Sequence, residues 1–123
     1  MTSSQRRYAM NHDWVWGPAN RDLDKSASLL MRLREAPPGQ FQALLREWLG
    51  HLTWDARSGR YGWGGYVVQI LAQDGGNADI VFTSSGQDVA ESLGDAVEQF
   101  YRLVLQPLTT ASVTWTELPL DTT

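Results

Sequence analysis

The residues best suited to proton transfer or metal binding are the two histidines, each near a carboxylate. His12 is followed by Asp13, and His51 precedes Asp55 by four residues, a spacing that joins the two side chains only if that segment is helical. No HExxH-like ligand spacing accompanies them, and a histidine beside an acid is a frequent coincidence. Gly62-Trp63-Gly64-Gly65 resembles a phosphate-cradling loop on the surface, but it leads into a strand pattern and no Lys-Ser or Lys-Thr follows. Ser84-Ser85-Gly86 precedes a helical pattern, where capping accounts for both serines. The chain has no cysteine, so neither thiolate chemistry nor disulfides enter. These residues make a non-catalytic protein the leading expectation, with no cofactor and no metal. The alternative left open is a small-ligand-binding protein or small enzyme using His12 or His51 with a nearby carboxylate.

Binding chemistry is better represented. Asp88, Glu91, Asp95 and Glu98 recur at helical spacing and form one carboxylate stripe, with Arg102 the one basic residue near its end. Any amphipathic helix needs a polar side, so a solvated face explains the stripe as well as a docking surface does; the lack of interleaved basic residues is what favours docking. Asp79, on the preceding strand, is a candidate to join it. Six tryptophans are the compositional oddity. Core packing accounts for most of them, while Tyr61, Trp63 and Tyr66, next to glycines that leave rings uncovered, are the candidates for exposed anchors.

The elements that must carry these residues centre on a hairpin. Tyr66, Val68 and Ile70 alternate along one strand, Ile80 and Phe82 along the next, and Asp74 to Asn77 suit a tight reversal. Before it, Tyr8 to Trp16 alternate as a strand closed by Gly17-Pro18. Asn20 is placed to cap a helix through Leu23, Ala27, Leu30 and Leu33, ending before Pro37-Pro38. A second helix is predicted from Phe41, Leu44, Leu45, Trp48, Leu49 and Leu52. Residues 52–61 read either as a short strand turning at Ser58-Gly59 or as a helix end followed by loop. Gly62, Gly64 and Gly65 suggest a bulge or a close backbone approach. After the hairpin, Ser84 or Ser85 caps a third helix whose buried stripe is Val89, Leu93, Ala96, Val97, Phe100 and Val104, and Ala111 to Thr116 alternate as a last strand.

The fold expected is α+β: a single antiparallel sheet of about four to five strands with three helices mainly on one face, in one domain over residues 1–123 with frayed tails at 1–6 and 119–123. Its core is expected to hold Leu30, Leu44, Trp48, Val68, Ile70, Ile80, Phe82, Leu93, Val97 and Phe100. At 42 % hydrophobic and 20 % charged residues the composition is globular. Apolar runs are too short to span a bilayer and the first fifteen residues lack a signal-peptide core, which reads as cytoplasmic.

Net charge is −4, unevenly spread: residues 1–60 hold nine basic against six acidic residues, and residues 61–123 one against eight. An acidic second half repels phosphates and suits a basic protein partner. By physical character alone, the expectation is an inhibitor-, immunity- or antitoxin-like binder; oligomeric state is not encoded.

Overall fold

The computed structural model describes residues 2–3, 6–15, 25–119 and 121–122. In chain order the elements are β1 (Thr2–Ser3), α1 (His12–Val15), β2 (Lys25–Arg34), α2 (Pro38–Leu49), β3 (Thr53–Asp55), β4 (Arg60–Trp63), β5 (Tyr66–Asp74), β6 (Asn77–Ser85), α3 (Val89–Phe100), a π-helical turn (Tyr101–Leu105), β7 (Ser112–Glu117) and β8 (Asp121–Thr122). The protein is α+β. Six strands form one antiparallel sheet in the order β7-β2-β6-β5-β4-β3, one more than the upper end of the expected count. The two-residue pieces β1 and β8 pair with β7 and β2.

β2 replaces the helix expected through Leu23 to Leu33; Asn20, its expected cap, lies outside the described residues. Ala27 and Leu33 fit both periods, but Leu29 and Met31 complete a strict alternation between them, and all four are buried on the sheet face beneath the helices. The strand period prevails because β2 sits between β6 and β7, with both edges hydrogen-bonded. Leu30 is buried as expected, but it alternates onto the opposite sheet face. Leu44 and Ile70 are half-buried, packed against the core; the other expected core residues are buried.

The segment from Tyr8 is also not a strand. Asn11 Oδ1 accepts from the backbone N–H groups of Asp13 and Trp14 at 3.1 and 3.3 Å, capping the single turn of α1. Trp16 lies outside the described residues. Residues 6–15 form a strap over the end of α3. The Arg6 guanidinium donates to the carbonyls of Leu105, Leu108 and Thr109, so at least this residue of the expected N-terminal fray is anchored. Tyr8 Oη donates to Glu117 at 2.5 Å, and Trp115 Nε1 donates to the Arg6 carbonyl at 3.1 Å. Burial first, and then Glu117, push the Tyr8 phenol far above its ordinary range.

Two tight turns organise the remaining strands. The β5–β6 hairpin reverses at Gly75-Gly76, inside the expected stretch, with Gly75 at φ 60°. β4 and β5 reverse at Gly64-Gly65, both at positive φ, so these glycines make a second hairpin and not a bulge. The bulge lies at Leu71, between the paired residues Ile70 and Ala72. Residues 52–61 take the strand reading: β3 pairs with β4 across a turn containing Gly59 at φ 67°.

α2 and α3 both lie on one face of the sheet. α2 begins at Pro38, where the absent N–H costs nothing, and buries Phe41, Leu45 and Trp48. α3 buries Val89, Leu93, Ala96, Val97 and Phe100; its N-cap residue is Asp88, while the Ser84 hydroxyl donates to the Gly65 carbonyl at 2.7 Å. Between helices and sheet, the rings of Trp48, Phe82, Phe100 and Trp115 form one cluster with centroid separations from 4.7 to 6.4 Å. Among the described residues no helix is long and apolar enough to cross a membrane.

Candidate functional site

At the C-terminal half of α3 the structure joins two features that are far apart in sequence. Asp95, Glu98 and Gln99 of α3, with Arg102 and Leu103 of the π-helical turn, form one wall of an open groove. Trp63, at the end of β4, and His51, just past α2, form the other. The groove has a volume of about 560 Å³. Trp63 is placed there by the Gly64-Gly65 turn, which ends β4 and leaves the indole 59 % exposed. Gly65 itself lies close to α3, since a Cβ there would stand 3.0 Å from Ser92 Oγ.

The four carboxylates of the stripe have different surroundings. Asp88, Glu91 and Asp95 are exposed and have no ion-pair partner among the described residues. Glu98 is half-buried and engaged: Arg7 donates to both its oxygens, at 3.0 and 2.5 Å, and Arg102 donates at 3.2 Å. The Arg7 hydrogen bond, helped by the Arg7 and Arg102 charges, holds the Glu98 carboxyl below its ordinary range against an opposing effect of burial. Sequence reasoning missed Arg7 because it lies 91 residues away from Glu98 in the chain.

Asp79 does not join the stripe. It pairs with Arg34 at 2.9 Å on the sheet face opposite the helices, since Ala78, Ile80 and Phe82 alternate toward α3. Tyr66 is not an exposed anchor either. It is buried at 4 %, its hydroxyl donates to Gln99 Oε1 at 3.2 Å, and burial first and the Asp95 charge second raise its pKa. Tyr61 is half-buried and packs at 4.8 Å against Trp54, an exposed indole at 53 % that was not among the expected anchors. The register pairs Trp54 with Tyr61 and Trp63 with Tyr66, so Trp54, Tyr61 and Trp63 share the helix-facing side of the sheet near its free edge. Alternation across the Ser58-Gly59 turn was the signal that could have found Trp54.

His51 and Asp55 do not meet as a helical pair, because Asp55 lies in β3. His51 instead faces the groove that Asp95 and Glu98 also line, with no hydrogen bond or ion pair orienting its ring among the described residues. His12 is exposed on α1. No group of three or more His, Cys, Asp or Glu among the described residues is arranged to hold a metal ion. No family model, no curated protein and no solved structure matches this chain. Chemically, the groove offers a flat exposed indole and one unpaired carboxylate, beside the His51 ring and the hydrogen-bonded side chains of Glu98, Gln99 and Arg102. That suits recognition of a cationic side chain.

Proposed function

We propose that the chain is a non-catalytic binding domain of inhibitor, immunity or antitoxin character that docks a basic protein partner. The observation that carries this reading is Trp63: a tryptophan more than half exposed, beside the unpaired Asp95, in a groove continuous with the helix that bears Asp88 and Glu91. Arg102 of the groove wall is already engaged by Glu98, which leaves the exposed aromatic anchor beside unpaired carboxylates, the composition of a hot spot with a steering rim. The docking residues in this reading are Trp63, Asp95, Glu91 and Asp88, with Trp54 and Tyr61 at the sheet edge. Glu98 holds the strap, Tyr66 supports Gln99 from beneath, and Asp79 belongs to the other face.

The test is affinity capture from the encoding organism with three baits: the wild-type chain, Trp63→Ala, and the triple change Asp88→Asn, Glu91→Gln, Asp95→Asn. The expected result is a basic protein retained by wild type and lost from both variants as salt rises through the physiological range. Equal retention by all three baits overturns the reading.

A second reading, a small-ligand site or small enzyme using His51, is favoured by its position in the same groove as Asp95 and Glu98. A substrate whose turnover is abolished by His51→Ala would establish that reading instead.

A further inference from the structure

The chain displays how it holds one arginine. The Arg7 guanidinium sits 5.4 Å above the centre of the Tyr101 ring while donating to both oxygens of Glu98, an aromatic face and a carboxylate acting together. One turn earlier on α3 the same two kinds of group are present in one groove: Asp95 stands three residues before Glu98, and Trp63 lines the groove with it, while Arg102 in the groove wall is already engaged by Glu98. Trp63 offers a larger aromatic face than Tyr101 and is 59 % exposed. Asp95 carries no ion pair among the described residues; its charge is close enough to the Tyr66 phenol to add to the upward pKa shift that burial chiefly causes.

We propose that this groove binds the guanidinium of an arginine side chain presented by a protein partner, with the Trp63 indole stacked on it and Asp95 paired to it. The inference rests on the docking reading above and names the residue it recognises. Arginine fits better than lysine because a planar guanidinium stacks on an indole while directing two N–H groups at a carboxylate in its plane, whereas an ammonium is a compact, strongly hydrated charge. A side chain from a protein fits better than free arginine because the groove is open and, beyond it on α3, the exposed Glu91 and Asp88 continue the negative charge for flanking basic residues.

The experiment titrates the isotope-labelled chain with three probes: an end-blocked Gly-Arg-Gly tripeptide, its Gly-Lys-Gly counterpart, and free arginine. The readout is the Trp63 indole N–H signal, assigned by its loss in Trp63→Leu. The arginine tripeptide is expected to shift that signal with an affinity about three- to fivefold above the lysine tripeptide, and Asp95→Asn to weaken it by a similar factor while the remaining spectrum stays that of the folded chain. Equal response to the arginine and lysine tripeptides, indifference to Asp95→Asn, or tighter binding of free arginine than of the blocked tripeptide overturns the proposal. Failure here with salt-sensitive, Trp63-dependent partner capture leaves docking in place and removes only the arginine assignment. Failure of capture with a positive titration does the reverse.

Discussion

Arg7 grips Glu98 with two guanidinium nitrogens, Nε at 3.0 Å and Nη2 at 2.5 Å, and so ties the N-terminal strap to the end of α3. The contact pairs one of the four stripe carboxylates within the chain and leaves the other three without an ion pair among the described residues. Its pH dependence has a definite sign. The folded-state pKa of Glu98 lies below the ordinary value of 4.5, so the stabilisation is complete above that value and is lost as pH falls through the lower folded value. Glu98→Gln is therefore expected to lower the urea midpoint at neutral pH, with the gap to wild type closing as pH falls below 4.5 through the lower folded value. A gap that stays constant across that range would assign the loss to something other than the ion pair.

The aromatic cluster sets the largest mutational costs. Phe100 is fully buried and touches the rings of Trp48, Phe82 and Trp115, so Phe100→Ala is expected to cost about 3 to 5 kcal/mol in chemical denaturation. Trp48 differs in carrying a buried indole N–H with no acceptor among the described residues. Trp48→Phe removes that unpaired donor along with some ring area, and the two effects oppose each other. The exchange is expected to stay within about 1.5 kcal/mol of wild type, well short of the Phe100→Ala loss.

Backbone crowding at the β5–β6 turn makes a sharper case. Ala36 donates its N–H to the Gly76 carbonyl at 3.1 Å, and a Cβ on Gly76 would stand 1.9 Å from the Ala36 carbonyl oxygen. Gly76→Ala must displace the chain that enters α2, and is expected to cost on the order of 3 kcal/mol. Gly59→Ala, at φ 67° with open space around it, carries only the left-handed conformational penalty of about 1 kcal/mol. A thermal melt of both variants checks the order; equal shifts would show that the 36–76 contact is not rigid.

What the sequence made legible follows from how local each signal is. The hairpin, α2 and α3 are readable because each has one unambiguous period and its own boundary signal: the reversal at Gly75-Gly76, the start at Pro37-Pro38 and the stop at Pro107. β2 is ambiguous in sequence because Ala27 and Leu33 satisfy both periods, and only its two neighbouring strands decide between them. The strap is ambiguous for another reason: the Asn11 cap competes with the alternation of large side chains around it. At the site, Trp63 and Asp95 were both singled out, yet their meeting in one groove depends on tertiary packing. The loss of Asp79 from the stripe is a parity effect: one residue along a strand changes the face.

The acidic stripe and the tryptophan should separate in time. Asp88, Glu91 and Asp95 are exposed, so their attraction to a basic partner acts mainly before contact, through a long-range field that salt screens. Trp63 contributes only once its ring is covered. For the partner retained in affinity capture, the triple change Asp88→Asn, Glu91→Gln, Asp95→Asn is expected to lower the association rate by about tenfold and flatten its salt dependence. Asparagine at 88 keeps a good N-cap residue type, so the change tests charge more than helix stability. Trp63→Ala is expected to leave the association rate within about twofold while raising the dissociation rate by about tenfold or more. Surface plasmon resonance at two salt concentrations measures both. If the triple change leaves the association rate and its salt slope unaltered, the stripe is a solvated helix face and the docking surface reduces to the aromatic edge of the sheet.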